Sequence, residues 1–260
     1  MPVPVDDVIS VEHLALSYGR GASRVVALRD ISFRIADATF TVVVGPSGCG
    51  KSTLLKILAG LLPPTGGTAE LRGQPITGPR RDIGVVFQTP VLFPWRSVLG
   101  NVMLPADVQG LDRAAMQRRA LELLGQVGLG GFEQRYPREL SGGMQQRVGL
   151  VRALLHDPAI LLMDEPFSAL DAMTREGMMV ELQRVWLARR VTVLFITHSI
   201  AEAVFLGDRV IVLTPRPGMI GDAFEVELPR PRTLEMMNTE GFGRCVARVR
   251  AALGGKGAAA

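Results

Sequence analysis

Short apolar runs separated by turn residues dominate this chain. Some runs alternate loosely between apolar and polar positions, as at 8–19, which predicts strands with one buried face. Others, such as 40–45, are apolar throughout and are typical of strands buried on both faces of a parallel sheet. The predicted strands are residues 8–19, 25–35 (as two pieces), 40–45, 67–76, 83–88, 159–164, 191–198, 208–213 and 221–228.

Helical patterns lie between these strands. A helix is predicted over 51–61, where the turn residues PPTGG end it, and another over 172–188. The stretch 97–155 has no strong strand and carries apolar residues three and four apart, so we expect an inserted helical subdomain. Residues 234–253 predict one or two helices, and the low-complexity end at 254–260 is expected to fray. Strands alternating with helices predict an α/β fold with a mainly parallel sheet.

The composition is apolar, with 47% hydrophobic residues and a mean hydropathy of +0.24. A membrane span would need roughly 20 mostly apolar residues, and the uninterrupted runs are much shorter. The start of the chain, MPVPVDDVIS, lacks the basic and apolar regions of a signal peptide, so a cytosolic location is expected. Cys49 and Cys245 have no metal or redox spacing and are expected to be reduced.

The net charge is +4, from 29 basic and 25 acidic residues. Basic clusters occur at 117–119, 188–190 and 228–234. They are interpreted as solvated faces, with contact to anionic lipid or nucleic acid as the alternative. With only two Trp and two Tyr, the chain offers no base-stacking platform, and no nucleic-acid partner is expected.

The segment GPSGCGKS at 45–52 matches the phosphate-loop pattern G-x-x-x-x-G-K-[ST] between a predicted strand and a predicted helix. Its backbone N–H groups and the start of the helix would face an anion. Lys51 would reach the β- and γ-phosphates of a nucleotide, and the Ser52 hydroxyl would complete a Mg²⁺ shell. The predicted binding residues of this loop are Gly45, Pro46, Ser47, Gly48, Cys49, Gly50, Lys51, Ser52 and Thr53.

Further candidates lie at the ends of predicted strands, where open α/β sheets bind their ligands. Asp164 is predicted to hold Mg²⁺ through water, and its neighbour Glu165 to activate a hydrolytic water; two solvated acids are the alternative. His198 and Gln88 end two other strands and are candidates for the γ-phosphate, although a lone histidine is more often structural. Tyr18, before a turn, is either an adenine-stacking residue or simply a turn tyrosine.

The segment LSGGMQQR at 140–147 has the chemistry of a second anion cradle. Ser141 is predicted to cap a helix that begins near Met144. The adjacent Gly142 and Gly143 are poor helix formers but leave backbone N–H groups open toward an anion. One nucleotide does not obviously need two such cradles, so the residues alone leave the role of this segment open.

Together these stretches resemble the nucleotide-binding subunit of ATP-binding cassette proteins, from Ile9 to Leu228 and in the order of that family. GPSGCGKST resembles its phosphate loop, LSGGMQQR its signature motif, ILLMDEP its magnesium-and-base strand and SALD at 168–171 the loop that follows. Gln88 and His198 match its glutamine and histidine switches, and Tyr18 its adenine-stacking aromatic. Ser199 departs from the aspartate that often follows the switch histidine.

The resemblance implies the cofactors ATP and Mg²⁺ and a role for each matching residue. Glu165 is the expected general base, with His198 as the sensor of the γ-phosphate. Ser52, Gln88 and Asp164 are the expected metal-site residues. The segment containing Ser141, Gly142, Gly143 and Gln145 is expected to contact ATP held by a second copy of the chain, with Asp171 from the loop after the base. Two chains would then form a homodimer with two head-to-tail composite ATP sites.

The resemblance also implies a single ABC ATPase domain over 1–260. It comprises a P-loop NTPase core with a mainly parallel sheet and an N-terminal antiparallel β portion (8–96 and 156–228), a helical subdomain (97–155) and a helical tail (229–260). A single cassette without membrane spans is typical of bacterial importers, and the segments 85–105, 164–175 and 193–213, the last followed by RPG at 216–218, are similar to importers of nitrate, sulfonates and taurine.

The expected partners are integral membrane permease subunits and, indirectly, an extracytoplasmic solute-binding protein. The expected location is the cytoplasmic face of the inner membrane. The alternatives are the ATPase of an exporter and a soluble ATP-driven clamp on nucleic acid.

The loop TPVLFPW at 89–95 places four large apolar residues between and after two prolines. These side chains either pack onto the helical subdomain or form a docking groove for a helix of a membrane subunit.

Overall fold

The two sheets of the computed structural model have different strand directions. Residues 7–19 and 21–254 are described, so the first six residues and nearly all of the predicted fraying end lie outside the described residues. An antiparallel sheet has the strand order β2-β1-β4-β5. Its strands are β1 (Asp7–Tyr18), β2 (Val25–Ala36), β4 (Gly66–Leu71) and β5 (Gln74–Pro75).

The larger sheet has the order β10-β9-β3-β8-β7-β6 and is parallel except for the pairing of β10 with β9. Parallel neighbours bring the carboxyl ends of several strands to one edge, where a ligand can contact several loops. Its strands are β3 (Phe40–Val44), β6 (Ile83–Val86), β7 (Ile160–Asp164), β8 (Thr192–Thr197), β9 (Arg209–Leu213) and β10 (Ile220–Glu225).

Helices cover the larger sheet and fill the connection between β6 and β7. The helical character predicted for that connection is confirmed. Three short 3₁₀ turns lie at Gly21–Ser23, Pro137–Glu139 and Leu234–Asn238. The helices are α1 (Lys51–Leu58), α2 (Val98–Val102), α3 (Leu104–Gln109), α4 (Arg113–Gln126), α5 (Gly142–Leu154), α6 (Ala172–Arg189), α7 (Ile200–Leu206) and α8 (Glu240–Gly254).

The core is divided by the larger sheet. Successive side chains of β3 point to opposite faces, so Val43 packs in one apolar cluster with Leu54 of α1. Val42 and Val44 pack in the other cluster, with Phe195 and Trp186. All five residues of β3 are buried, and each fully buried large aliphatic side chain stabilises the fold by roughly 1.5–3 kcal/mol. This strand is therefore a firm support for the loop that follows it.

Several local predictions need correction. Residues 25–36 form one bulged strand rather than two pieces, because β2 pairs with β1 along its length. The predicted strand 67–76 is a hairpin, since Arg72 and Gly73 both have positive φ and turn the chain in two residues. Helix α7 was not predicted: five successive residues, 202–206, are buried, so no amphipathic period marks it.

The basic cluster 228–234 is not a solvated face. Arg232 is 2% exposed, and its Nη1 donates to the carbonyl oxygens of Val204, Phe205 and Gly207 at the end of α7. Burial lowers the pKa of Arg232 to about 10, so the side chain is still charged at neutral pH. Arg230 forms an ion pair with Asp208 at 2.7 Å and is also largely buried. These arginines fasten the tail to the core.

The predicted fold class is confirmed: a P-loop core with a mainly parallel sheet, an antiparallel β portion and an inserted helical segment. Among the described residues, no helix is both long and apolar enough to cross a membrane.

Candidate functional site

The phosphate-loop segment joins β3 to α1 in a tight curl that depends on glycine. Gly48 and Gly50 have φ of 75° and 106°, a region that other residues rarely adopt. A Cβ on Gly50 would lie 2.6 Å from Leu28 Cδ2, so packing against β2 also excludes a side chain there. The curl is therefore built into the sequence and leaves the start of α1 open toward an anion.

Lys51 lies in the middle of this curl and is 4% exposed. Its Nζ donates to the carbonyl oxygens of Gly45 (2.9 Å) and Pro46 (3.0 Å) and lies 3.4 Å from Glu165 Oε1. A buried ammonium needs such partners, because an unpaired buried charge is costly. The Lys51 ammonium is thus held at the centre of the loop, beside the carboxylate of Glu165, the residue that follows β7.

Ser52 and Asp164 meet across the same site, with Ser52 Oγ donating to Asp164 Oδ1 at 3.0 Å. Burial raises the pKa of Asp164 above its ordinary value. The described residues contain no group of three or more His, Cys, Asp or Glu that could hold a metal. One hydroxyl and one carboxylate nonetheless fit Mg²⁺, which binds through one or two carboxylates and takes its other ligands from phosphate and water.

The side chain of Glu165 turns away from that of its neighbour Asp164. Its backbone lies in the left-handed region, with φ of 44°, and its N–H donates to Ile196 O at 2.9 Å. Such conformations in residues other than glycine cluster at functional sites. The turn sends the Glu165 carboxylate toward Lys51 and His198, and His198 Nδ1 lies 2.8 Å from Glu165 Oε2. The two adjacent acids thus have separate surroundings.

Gln88 and Tyr18 lie at the margins of the site. Gln88 Nε2 donates to Ser168 Oγ at 3.1 Å, three residues after Glu165, and no hydrogen bond links it to Ser52 or Asp164 among the described residues. Tyr18 is 44% exposed, with its hydroxyl 3.1 Å from Thr53 Oγ1. One concave surface is lined by Tyr18, Ala27, Ser47, Gly48, Gly50, Lys51, Ser52, Thr53, Glu165 and Arg216. Cys49 is buried behind the loop, and burial raises the pKa of its thiol.

Three contributors to this site were not identified from the sequence. Arg216 lines the concave surface, with its Nε 3.2 Å from Gly48 O. Glu202 supports the end of β8 by accepting a bond from Thr197 Oγ1 at 2.6 Å, and burial raises its pKa. Ser199 caps α7, with Ser199 Oγ accepting from Glu202 N, so the serine performs the capping that an aspartate could perform.

The segment LSGGMQQR lies at the start of α5, away from the phosphate loop. Ser141 caps the helix, as predicted, with Oγ accepting from Met144 N at 3.3 Å. The helix begins at Gly142 rather than near Met144, so both glycines lie in its first turn. Ser141 and Gly142 are exposed, whereas Gly143 is buried beside Thr174. Helix α5 packs on α2, α3, α4 and β6, while α1 packs on β2, β7 and β8.

Gln145 and Asp171 make contacts within the chain that account for their types. Gln145 Nε2 donates to the carbonyl oxygens of Pro137 and Leu140, which fixes the turn before α5. Asp171 caps α6, with its carboxylate accepting from Thr174 N at 3.0 Å, and this bond lowers its pKa. Among the described residues, no hydrogen bond links either side chain to the phosphate loop, and their roles toward a nucleotide stay predictions.

The loop 89–95 divides between the two readings made from the sequence. Leu92 packs against the core, whereas Val91 and Trp95 are 59% and 71% exposed. The Phe93 and Trp95 rings stack with centroids 5.1 Å apart. Phe93 and Val91 also line an apolar groove of about 360 Å³ with Phe87, Leu104 and Val108.

This loop is held rigidly from beneath. Asn101 is fully buried and bonds to both the N–H and the carbonyl of Phe93, at 2.7 and 3.1 Å. Arg152 of α5 donates to the carbonyl oxygens of Pro90 and Val91, both at 2.8 Å. Gln146 of α5 donates to Gln88 O at 2.9 Å. The apolar side chains are thus presented on a fixed backbone.

Comparisons with known proteins agree with this geometry. Residues 28–168 match the family model described as ABC transporter. A taurine import ATP-binding protein of Rhizobium johnstonii is 48% identical over 223 residues, 85% of each chain. An uncharacterized ABC transporter ATP-binding protein of Methanocaldococcus jannaschii is 48% identical over 224 residues, 86% of this chain and 84% of the relative.

Solved structures give the same result. An ATP-binding cassette solved as a dimer in a post-hydrolysis state with ADP and Pi is 32% identical, with a TM-score of 0.74 over 85% of this chain and all of that one. The cassette cbiO1 of Clostridium perfringens, part of an ABC transporter complex, is 28% identical, with a TM-score of 0.76 over 85% of this chain and 89% of that one. The chain belongs to the ABC transporter family and is one of its ATP-hydrolysing cassettes.

Proposed function

We propose that this chain is the ATPase subunit of a bacterial importer of a small solute such as taurine, another sulfonate or nitrate. The relatives named for taurine import, at 48% and 47% identity, support import over the export alternative. The observation that carries the proposal is the arrangement at the carboxyl edge of the larger sheet. A buried lysine, a serine–aspartate pair and a glutamate–histidine pair lie together there, and Lys51, Ser52 and Glu165 line one concave surface.

We assign the chemistry as follows. Lys51 and the loop N–H groups bind the phosphates of ATP, with Tyr18 against the adenine. Ser52, Asp164 and Gln88 would hold Mg²⁺, which when bound would offset the charge of the phosphates. Glu165 accepts the proton of the attacking water. His198 bonds to the Glu165 carboxylate and is positioned to respond to the γ-phosphate.

We further propose a homodimer with head-to-tail composite sites. The support is that the start of α5 exposes Ser141 and Gly142, while α5 packs on α2, α3, α4 and β6 and the helix after the phosphate loop packs on β2, β7 and β8. An isologous dimer presents each surface twice, so two copies would complete two sites. ATP would then hold the two chains together, and hydrolysis would weaken that contact.

The mass of Glu165→Gln particles with and without Mg-ATP tests this proposal. We expect monomers without the nucleotide and dimers with it, because the variant binds ATP without hydrolysing it. Adding Ser141→Arg should restore the monomer. A particle that stays monomeric with bound ATP would contradict the composite site. Wild-type turnover of ATP, measured in parallel, tests the ATPase itself.

For the membrane partner, we propose that the groove beside Phe93 and Trp95 receives a cytoplasmic helix of a permease subunit. The chain would then lie at the cytoplasmic face of the inner membrane, and an extracytoplasmic solute-binding protein would act only indirectly. In this proposal the core spans 8–96 and 156–228, the helical subdomain 97–155 and the tail 229–260. The rigid backbone of the groove and its apolar exposed side chains support docking.

The alternative of another class is an ATP-driven clamp on nucleic acid. Trp95→Glu distinguishes the two. It should release the chain from a multi-span membrane partner while keeping basal ATP hydrolysis. A nucleic-acid clamp would instead be retained on DNA or RNA in a salt-sensitive manner, unaffected by that change.

A further inference from the structure

The turn after β9 lies directly beside the phosphate loop. Because β3 and β9 are neighbouring parallel strands, the segments that follow them meet at the same edge of the sheet. Gly218 N donates to Ala27 O at 2.9 Å, and Gly218 O accepts from Arg29 N at 3.0 Å. A Cβ on Gly218 would lie 2.1 Å from Cys49 O, so only glycine permits this approach. The turn is therefore fixed to β2 and to the phosphate loop together.

Arg216 extends from this turn across the loop. Its Nε donates to Gly48 O at 3.2 Å, and its Nη2 lies 3.7 Å from where a Cβ on Gly48 would be. The side chain is exposed and lines the same concave surface as Tyr18, Lys51 and Ser52. Within the described part of the chain, no carboxylate lies within ion-pair distance of Arg216, and its Nη groups have no hydrogen-bond partner.

The two cationic side chains at this site, Lys51 and Arg216, have different partners. Lys51 is buried, bonds to two loop carbonyls and lies beside Glu165. Arg216 donates one hydrogen bond through Nε to Gly48 O, and in the described part of the chain its two Nη groups have no hydrogen-bond partner. A guanidinium presents paired N–H donors that match phosphate oxygens, and it cannot lose its charge at neutral pH.

We propose that Arg216 is a second cationic ligand of the nucleotide, contacting its phosphate chain from the side of the β9 turn. This inference rests on the proposed ATP site. The phosphates are favoured over the adenine because Arg216 is anchored to the middle of the phosphate loop, at Gly48. Tyr18, in contrast, is anchored by its hydroxyl to Thr53, in the first turn of α1.

Binding of ATP, ADP and AMP to the full-length chain tests the proposal, by calorimetry or fluorescence and without any turnover. Arg216→Gln keeps an N–H that can reach Gly48 O but removes the charge. We expect its affinity for ATP to fall on the order of tenfold, as for the loss of one charged hydrogen bond. The loss should be smaller for ADP and nearly zero for AMP. Arg216→Lys should recover most of the affinity, and the loss should shrink at high salt.

Arg118→Gln is the matched control, because Arg118 is an exposed arginine of α4 and the change in net charge is the same. It should bind all three nucleotides as the wild type does. Equal losses for ATP and AMP would overturn the proposal in favour of an adenine or loop-bracing role, as would unchanged ATP binding in Arg216→Gln. If Arg216→Gln does not fold, Arg216→Met, which also removes the charge from a side chain of similar length, replaces it, with the same loss expected for ATP and the same two outcomes overturning the proposal. Failure of the wild type to bind ATP would refute the site itself.

Discussion

The phosphate loop and the start of α5 are both glycine-bearing helix N-termini, yet their surroundings differ. Around the phosphate loop the same chain supplies a buried cation, a hydroxyl, two carboxylates and a histidine. At the start of α5, the Ser141 hydroxyl accepts from Met144 N, the Ser141 carbonyl accepts from Gln145 N, and the Gln145 side chain fixes the preceding turn. The first is a site with its own chemistry. The second offers donors alone.

The difference teaches that a helix N-terminus can serve as half of a site. Backbone N–H groups at a helix start attract an anion but supply no base, metal ligand or proton acceptor. A cradle of this kind is useful only where chemistry is brought to it. The exposed Ser141 and Gly142 match that condition. Substitutions at the two cradles should therefore have different effects on ATP turnover, ATP affinity and stability.

The largest expected effect is from Ser141→Arg, which fills the second cradle and leaves the first intact. We expect ATP turnover to fall on the order of 100-fold, as for the loss of a donor that stabilises developing charge. ATP affinity of the single chain should stay within about twofold, since Ser141 is remote from the loop that binds it. Turnover and nucleotide binding measured on the same preparation check this. Parallel loss of both would mean that Ser141 supports the chain's own site.

Two further substitutions of Ser141, with smaller expected effects, distinguish its role as a helix cap from its proposed contact with an anion. Ser141→Ala removes the capping bond and should lower the free energy of unfolding by about 1 kcal/mol. Ser141→Asp keeps a good cap, so its stability should match that of the wild type, while its charge repels a phosphate and turnover falls. Chemical denaturation and ATPase assays check the pair. If Asp restores turnover as well as stability, the serine acts only as a cap.

The smallest expected effect is a difference in pH dependence between Glu202, which lies near the first site, and Ser141, which caps α5. Burial raises the pKa of Glu202, which bonds to Thr197 just before His198. A group with a raised pKa contributes stability below its unfolded pKa, and that contribution is lost as pH rises through the folded pKa. In thermal unfolding, the stability of Glu202→Gln relative to that of the wild type should therefore increase as the pH rises. Ser141→Ala has no titrating group and should differ from the wild type by the same amount at each pH.

The sequence was sufficient to predict the phosphate loop and the residues after β7 and β8. Their side chains follow apolar strands at motif spacing, and parallel strands bring them to one edge. Arg216 escaped prediction because the sequence does not say that β9 lies next to β3. Gln145 was predicted as a ligand residue, yet its amide fixes a local turn, a contact that no spacing reveals.

The sequence pattern also failed to identify charged side chains that are buried in the structure. Arg230 and Arg232 stand in a proline-rich basic stretch that is typical of a solvated segment, yet both are buried by the end of α7 and by Trp186. The short helix α7 escaped prediction for a related reason, since it is buried on all sides near its end. The hydrophobic period and the pattern of charged residues identify a helix that has one exposed face. They do not identify a helix that is buried on all sides.

Helix α5 also has a mechanical consequence. Its first turn carries the exposed glycine cradle, while Gln146 and Arg152 on the same helix are bonded to the backbone of the loop that presents Trp95. With 13 residues, the helix is about 20 Å long. One rigid helix therefore joins the exposed glycine turn to the loop that presents Trp95. If the first turn of α5 moves, the backbone of that loop should move with it.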